Sequence, residues 1–106
     1  GLEGDKYHDL AQKYMPKGTC GVVTFGVKGG RKAAETFMAG LKLASIATHV
    51  ADAKTCVLHP ASSTHRQLSE AELAAAGVSA DLIRLSVGIE GITDILADLE
   101  QALDQV

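Results

Sequence analysis

An arginine inside an apolar strand pattern is the feature that most constrains the fold of this chain. The segment 81–90 reads DLIRLSVGIE. Successive side chains of a strand point to opposite faces of a sheet, so Ile83, Leu85 and Val87 share one apolar face. Arg84 then lies on the opposite face. A guanidinium keeps its proton at any ordinary pH, and if buried it needs an anionic or hydrogen-bonding partner.

Two kinds of partner for Arg84 follow from the strand pattern. Arg84 shares its face with Ser86 and Gly88, and the carboxylates of Glu90 and Asp94 follow closely along the chain. One of those carboxylates would make Arg84 part of a structural ion pair, which is the commoner arrangement. The other kind of partner is a carboxylate or phosphate supplied by a ligand.

Length and charge restrict the class of protein. The chain has 106 residues, 46% of them hydrophobic, which suits one domain or a piece of one. The formal net charge is −3, and the only basic cluster is Lys28, Arg31 and Lys32. This argues against a nucleic-acid surface, and a plain turn at residues 28–32 is favoured over a phosphate-binding loop.

The first residues suggest what kind of polypeptide this is, and the cysteines suggest its cellular compartment. It begins at Gly1 without Met or the features of a secretion signal, and no apolar segment is long enough to cross a bilayer. A trimmed or proteolytic fragment would begin in this way. Cys20 and Cys56 lie in apolar, strand-like segments, which favours buried free thiols and a cytoplasmic location over a disulfide between neighbouring strands.

The hydrophobic pattern predicts an α+β fold with a small, mainly antiparallel sheet and helices packed on one face. Ser69 and Glu72 form a capping box that begins a short helix, and Gly77 is suited to end it. The apolar stripes of the first and last helices predict packing faces. The predicted elements are a helix 5–14, a strand 20–27, a helix 31–46, short strands 48–51 and 55–59, a helix 69–76, a strand 81–87 and a helix 92–103.

A polar loop at residues 59–65, HPASSTH, follows one of the predicted strands. It could form a wall of a site that includes Arg84, or its hydroxyls could satisfy their own backbone, and composition favours the second interpretation. His49 is a candidate donor at the start of a strand, or a partner of Asp52. The histidines lack the spacing of metal ligands, so no metal site is expected.

Three longer motifs carry a resemblance to a known family. The segments 59–65, 82–90 (LIRLSVGIE) and 92–103 (ITDILADLEQAL) resemble the C-terminal domain of the pyridoxal-phosphate enzymes of cysteine and methionine metabolism, which have fold type I. The segments 7–18, 51–55 and 64–69 are most similar to the O-acetylhomoserine sulfhydrylase branch, and methionine γ-lyases and cystathionine synthases and lyases are the alternatives within the family.

The resemblance implies roles for individual residues. Arg84 matches the arginine that binds the α-carboxylate of the amino-acid substrate, and a planar fork suits that task. Thr64 matches a position that supports the carboxylate site. Relatives commonly have serine or asparagine in place of His49, which contacts the same end of the substrate. Relatives often have glycine in place of Ala51, which predicts a slightly different path for this loop.

The resemblance also implies what these residues lack. The lysine, aspartate and phosphate-binding residues that hold pyridoxal phosphate lie upstream in the family. We therefore expect residues 1–106 to be the C-terminal small domain of a larger enzyme, without the cofactor domain, inactive alone and with no catalytic or cofactor-binding residue. The parent enzyme would be a transferase of methionine biosynthesis and cysteine metabolism. It would bind O-acetyl-L-homoserine and pyridoxal phosphate, replace acetate by sulfide to give homocysteine, and form a homo-oligomer.

A hypothesis of another class is a stand-alone module for ligand binding or protein interaction. The capping box at Ser69 and the clean helical stripes are compatible with independent folding. Isolation of a domain that normally packs on a larger partner would expose an apolar face, which favours self-association.

Overall fold

The computed structural model describes residues 1–106 and has an α+β fold, as the sequence predicts. The chain forms α1 His8–Tyr14, β1 Val22–Gly26, α2 Gly30–Gly40, β2 Ser45–Ile46, β3 Cys56–Leu58, a 3-10 turn Pro60–Ser62, α3 Glu70–Ala75, β4 Leu82–Ser86 and α4 Ile92–Leu103. None of these helices has the length and apolar character needed to cross a membrane.

The strand that carries Arg84 lies inside the sheet. The strand order is β1-β4-β3-β2. β4 is antiparallel to both β1 and β3, whereas β2 and β3 are parallel, so the predicted mainly antiparallel sheet is confirmed. Arg84 is opposite Thr24 on one neighbouring strand and Leu58 on the other. Arg84 therefore projects from the middle of the sheet.

The core lies on the other face of the sheet. Ile83, Leu85 and Val57 pack there with Phe37 of α2 and Ala102 of α4. The predicted alternation of β4 is therefore confirmed, and α2 and α4 cover one face of the sheet. Complete burial of side chains of this size contributes about 1.5–3 kcal/mol each.

The second helix is shorter than the sequence predicts. A helix over 31–46 is wrong at its end, because α2 stops at Gly40 and Ser45–Ile46 joins the sheet as β2. The backbone N–H groups of residues 42–44 donate to the carboxylate of Asp98 on α4. These bonds hold the chain in a turn, so a partner distant in sequence overrides the helical pattern.

The predicted strand 48–51 is also wrong. The carbonyls of Thr48 and His49 accept from Arg84, and Ala51 has φ 58°, a left-handed conformation outside the range of a regular extended strand. The segment is a loop. The predicted strand 55–59 is confirmed as β3, and the chain turns at Pro60.

Signals that depend on near neighbours in sequence are confirmed. Ser69 and Glu72 form the capping box of α3. Gly77, with φ 72°, ends the helix, and the N–H of Val78 donates to the carbonyl of Leu73. Lys28 and Gly29 form the predicted turn, and residues 30–32 are the first residues of α2.

Three burial predictions differ from the structure. Cys20 is exposed and precedes β1, whereas Cys56 is buried in β3, and both thiols are free. The apolar stripe of α1 has no buried residue. In α4 the buried residues are Ile95, Asp98 and Ala102. The predicted apolar face is only partly correct, because three of its members are exposed: Ile92, Leu96 and Leu103.

Candidate functional site

The Arg84 guanidinium reaches from β4 to the loop 48–51. Its Nη2 donates to the carbonyl oxygens of Thr48 at 2.8 Å and His49 at 3.3 Å. Its Nε is buried and has no hydrogen-bond partner. A guanidinium has five N–H donors, and these contacts use only the Nη2 group. The donors on Nε and Nη1 therefore remain for another acceptor.

The internal ion pair considered from the sequence does not form through Glu90. Its carboxylate accepts from the backbone N–H and the hydroxyl of Thr55, each at 2.7 Å. The Thr55 N–H, and then its hydroxyl, lower the pKa of Glu90. Asp94 makes no hydrogen bond to Arg84 either, since the acceptors of Arg84 are two backbone carbonyls. Neutral carbonyls fix the orientation of the guanidinium and leave its charge without a counter-ion.

Ser86 ties the same loop to β4. Its hydroxyl accepts from the backbone N–H of Ala51 at 3.0 Å. Ala51 is the only residue other than glycine with a positive φ. Asp52 accepts from the N–H of Lys54, so the alternative pairing of His49 with Asp52 is not observed. The His49 side chain is exposed.

Thr64 lies apart from Arg84 in the hydrogen-bond network. Its side chain is exposed, and Oγ1 is 2.8 Å from Nδ1 of His65. No hydrogen bond joins Thr64 to Arg84. Of the three candidate residues, the structure joins Arg84 and His49 through the His49 backbone and leaves Thr64 separate.

Most of the other polar side chains in the loop 59–65 form hydrogen bonds with groups of this chain. His59 is buried, with Nε2 2.8 Å from the carbonyl of Ala80 and Nδ1 2.8 Å from Oγ of Ser62. Because a carbonyl only accepts, Nε2 carries a proton and donates to Ala80. Ser63 donates to the His59 carbonyl at 2.6 Å. The favoured interpretation of this loop, in which its hydroxyls serve its own fold, agrees with these bonds.

Two surface clefts of the chain do not include Arg84 in their linings. A cleft of about 330 Å³ lies beside the loop, lined by residues that include Val50, Asp52 and Ser86, but not by Arg84. A second cleft, of about 230 Å³, is lined by residues of α2 and the polar loop and also excludes Arg84. Arg84 therefore lines neither of these two clefts.

The residues present do not fit a pyridoxal-phosphate site. Every lysine is exposed, including Lys54. A lysine that forms a Schiff base is activated by a desolvated or charged setting, which an exposed lysine lacks. No group of three or more His, Cys, Asp or Glu side chains is placed to hold a metal ion.

Sequence reasoning missed three polar anchors: Ser86, Asp98 and the pair of Thr55 with Glu90. Ser86 carried a signal, because it lies two residues beyond Arg84 and so shares its face. Asp98 also carried one, as a carboxylate among the apolar positions of α4. The partner of Glu90 lies 35 residues earlier in the chain, and no local pattern indicates it.

Comparison with known proteins extends this description. A family model described as Cys/Met metabolism PLP-dependent enzyme matches residues 1–104. The chain is 50% identical over 103 residues to O-acetyl-L-homoserine sulfhydrylase 1 of Thermus thermophilus, covering 97% of this chain and 24% of that protein. It is 50% identical over 104 residues to homocysteine synthase of Schizosaccharomyces pombe, covering 98% of this chain and 24% of the relative.

A solved structure of a similar protein agrees with the family match. A protein assigned as an O-acetylhomoserine (thiol)-lyase from Campylobacter jejuni, with N′-pyridoxyl-lysine-5′-monophosphate, superposes with a TM-score of 0.87 at 39% identity. The match covers 97% of this chain and 24% of that one. The chain thus spans about a quarter of the length of these relatives. It belongs to the family of pyridoxal-phosphate-dependent enzymes of cysteine and methionine metabolism.

Proposed function

We propose that residues 1–106 are the substrate-carboxylate-binding domain of an O-acetylhomoserine sulfhydrylase, whose cofactor domain lies in the rest of a longer polypeptide. The complete enzyme would be a transferase that replaces the acetate of O-acetyl-L-homoserine by sulfide and releases homocysteine. The names of the relatives at 50% identity support this activity. Their greater length supports the assignment of this chain as one domain of the enzyme.

The observation that carries the proposal is the geometry of Arg84. Its charge has no carboxylate partner among its hydrogen bonds, and its Nε is buried without an acceptor. A buried donor left unpaired is unfavourable by about 1–3 kcal/mol. A carboxylate that accepts from Nη1 would neutralise the charge, and an adjustment of the guanidinium on binding would let it accept from Nε as well. Such charged contacts fix orientation as well as affinity.

His49 and Thr64 have smaller parts in the proposal. The carbonyl of His49 helps to orient Arg84, and its exposed imidazole is free to donate to the same end of the substrate. Thr64 would support the site from the polar loop, as the family resemblance implies. Its pairing with His65 would have to adjust for that role.

The cofactor would be held by residues outside this chain. Pyridoxal phosphate acts as an electron sink in enzymes of this kind, and the protein supplies binding and orientation. Arg84 would hold the amino acid at a fixed angle to the cofactor, which is the contribution of this domain. We propose that the 106-residue chain alone neither binds pyridoxal phosphate tightly nor turns over substrate. Visible absorbance of bound cofactor in the purified chain would contradict this.

Two further parts of the proposal concern the setting of the enzyme. The domain would pack on its own cofactor domain within a homo-oligomer, and the exposed apolar side chains of α1 and α4 offer surface for such contacts. The two free thiols are compatible with a reducing, cytoplasmic compartment.

The test replaces Arg84 in the complete enzyme. Arg84→Ala should lower kcat/KM for O-acetyl-L-homoserine on the order of 30- to 1,000-fold, because a charged contact made to the reacting molecule is lost. Lys32→Ala removes a positive charge from an exposed position of α2 and should leave kcat/KM within about twofold. An unchanged kcat/KM for Arg84→Ala would overturn the proposal.

A lyase is the second candidate. The chain is 43% identical over 106 residues to L-methionine gamma-lyase of Fusobacterium nucleatum, covering all of this chain and 27% of that protein. The complete enzyme should therefore be assayed for acetate release in the presence of sulfide, and for ammonia and keto-acid release from methionine. A stand-alone binding module is tested by calorimetric titration of the 106-residue chain with homoserine derivatives, where appreciable affinity would favour the module.

A further inference from the structure

Two side chains on one face of β4 hold the loop 48–51 through hydrogen bonds, one side chain as a donor and the other as an acceptor. Arg84 donates to the carbonyls of Thr48 and His49, and Ser86 accepts from the N–H of Ala51 at 3.0 Å. Ser86 is only 2% exposed, so this acceptor is buried and fixed in place. The carbonyls that orient Arg84 and the N–H that Ser86 holds belong to the same short loop.

Few other contacts fix the position of this loop. Ahead of it, the N–H of Ala47 donates to Val57, and beyond it the N–H of Ile89 donates to Ala53. Between these two anchors, the only hydrogen bonds from the loop to the sheet are those of Arg84 and Ser86. If either side chain is replaced, the other therefore provides the only remaining side-chain hydrogen bonding between this loop and β4.

The backbone at Ala51 has a conformation that the Ser86 contact helps to stabilise. Its φ of 58° lies in the left-handed region, which a residue with a Cβ adopts at a free-energy cost. Without the Ser86 acceptor, Ala51 would lose a hydrogen bond and favour an extended backbone. That change would move the carbonyls of Thr48 and His49 away from the Arg84 guanidinium.

We propose that Ser86 is a positioning residue for substrate-carboxylate binding, which holds the loop 48–51 so that its carbonyls orient the Arg84 guanidinium. The inference rests on the proposed function of Arg84 and adds a residue that has no contact with the substrate. Ser86 acts on the substrate only through the loop and Arg84. Its effect should therefore disappear when Arg84 is absent.

The experiment is a double-mutant cycle in the complete enzyme, with Ser86→Ala, Arg84→Ala and the double variant assayed with O-acetyl-L-homoserine. Ser86→Ala alone should raise KM about 5- to 10-fold and lower kcat by a smaller factor, because Arg84 is retained but holds the carboxylate less firmly. In the Arg84→Ala background, the same substitution should change kcat/KM by less than about twofold.

A second pair of measurements separates a positioning role from a general structural one. L-norvaline and n-butylamine differ by the carboxylate, and calorimetry gives the dissociation constant of each. Ser86→Ala should weaken binding of L-norvaline about 5- to 10-fold and leave that of n-butylamine within about twofold. Equal weakening of both would overturn the inference, as would an undiminished effect of Ser86→Ala in the Arg84→Ala background.

The outcomes keep the two proposals distinct. A normal kcat/KM for Arg84→Ala overturns the proposed function itself. A large loss for Arg84→Ala with a normal KM for Ser86→Ala overturns only the role of Ser86. If Ser86→Ala does not fold, Ser86→Cys keeps a side chain of the same shape with a slightly larger and weaker acceptor. It should raise the KM at least about threefold in the presence of Arg84, and a normal KM would overturn the inference.

Discussion

The carboxylate of Asp98 lies 2.8 Å from the backbone nitrogen of Lys42, a residue 56 positions earlier in the chain. The same carboxylate accepts from the N–H groups of Leu43 and Ala44, each at 2.9 Å. Burial raises the pKa of Asp98, but these N–H groups and the amide of Gln101 together hold the pKa below its ordinary value. One ionised side chain thus joins α4 to the turn between α2 and β2.

We predict that Asp98→Ala lowers the free energy of unfolding by about 2–4 kcal/mol, because three N–H groups lose a charged acceptor in a site that is only 6% exposed in the native chain. Urea unfolding of the 106-residue chain at pH 7, followed by circular dichroism, measures the change. Glu100→Gln alters an exposed carboxylate of the same helix and should have an effect within about 0.5 kcal/mol. Equal stability of Asp98→Ala and the native chain would contradict this role.

The lowered pKa of Asp98 also predicts a dependence on pH. Since the pKa is lower in the folded chain than in the unfolded chain, the contribution of Asp98 is fully present above the unfolded value of about 4. It is lost as the pH falls through the folded value. Asp98→Asn cannot titrate, so its urea midpoint should fall less between pH 7 and pH 2.5 than that of the native chain. Parallel acid profiles of the two proteins would show that Asp98 does not contribute.

Gly88 lies in a space that no side chain can enter. A Cβ at this position would lie 2.5 Å from the carbonyl oxygen of Ala53 and would also collide with the N–H of Thr55 and the carboxylate of Glu90. We predict that Gly88→Ala destabilises the chain by about 1–3 kcal/mol, because backbone atoms must shift. Gly21→Ala is the matched control, since its Cβ would meet only the Val87 carbonyl at 3.7 Å. Urea unfolding compares the two variants, and similar midpoints would contradict the prediction.

The parts of the fold that the sequence predicted depend on neighbours along the chain. The alternation around Arg84 assigned both faces of β4, because strand geometry alone sets that pattern. Ser69 and Glu72 are three residues apart, so their capping box is also visible in the sequence. Arg84 could be singled out as a candidate site residue because its charge is out of place in an apolar strand.

The predictions of local structure that were wrong concern segments whose conformation depends on partners distant in sequence. The helical pattern continues past Gly40, but Asp98 holds the next residues in a turn. The segment 48–51 looks like a strand until Arg84 and Ser86 are known to bind its backbone. Hydrophobic periodicity does not contain such contacts, and it identifies an apolar stripe without identifying what covers it.

His49 should matter less than Arg84 in the complete enzyme. Its contact with Arg84 uses the backbone carbonyl, which His49→Ala retains, and its exposed imidazole can add only one ordinary hydrogen bond to the substrate. We expect His49→Ala to lower kcat/KM for O-acetyl-L-homoserine about fivefold. His49→Asn keeps a donor and should recover part of that loss. A loss as large as that of Arg84→Ala would show that the imidazole has a greater role than the structure indicates.

The apolar stripe of α1 should make the isolated chain self-associate. Tyr7, Leu10 and Tyr14 are 58%, 50% and 71% exposed, and no residue of this helix is buried. Contact between two such surfaces removes apolar area from water, so the sedimentation coefficient of the 106-residue chain should rise with its concentration. Replacement of both Leu10 and Tyr14 by lysine should abolish this rise, whereas Asp9→Asn on the same helix should not. Concentration-independent sedimentation of the native chain would mean that this exposed stripe is too small to drive association by itself.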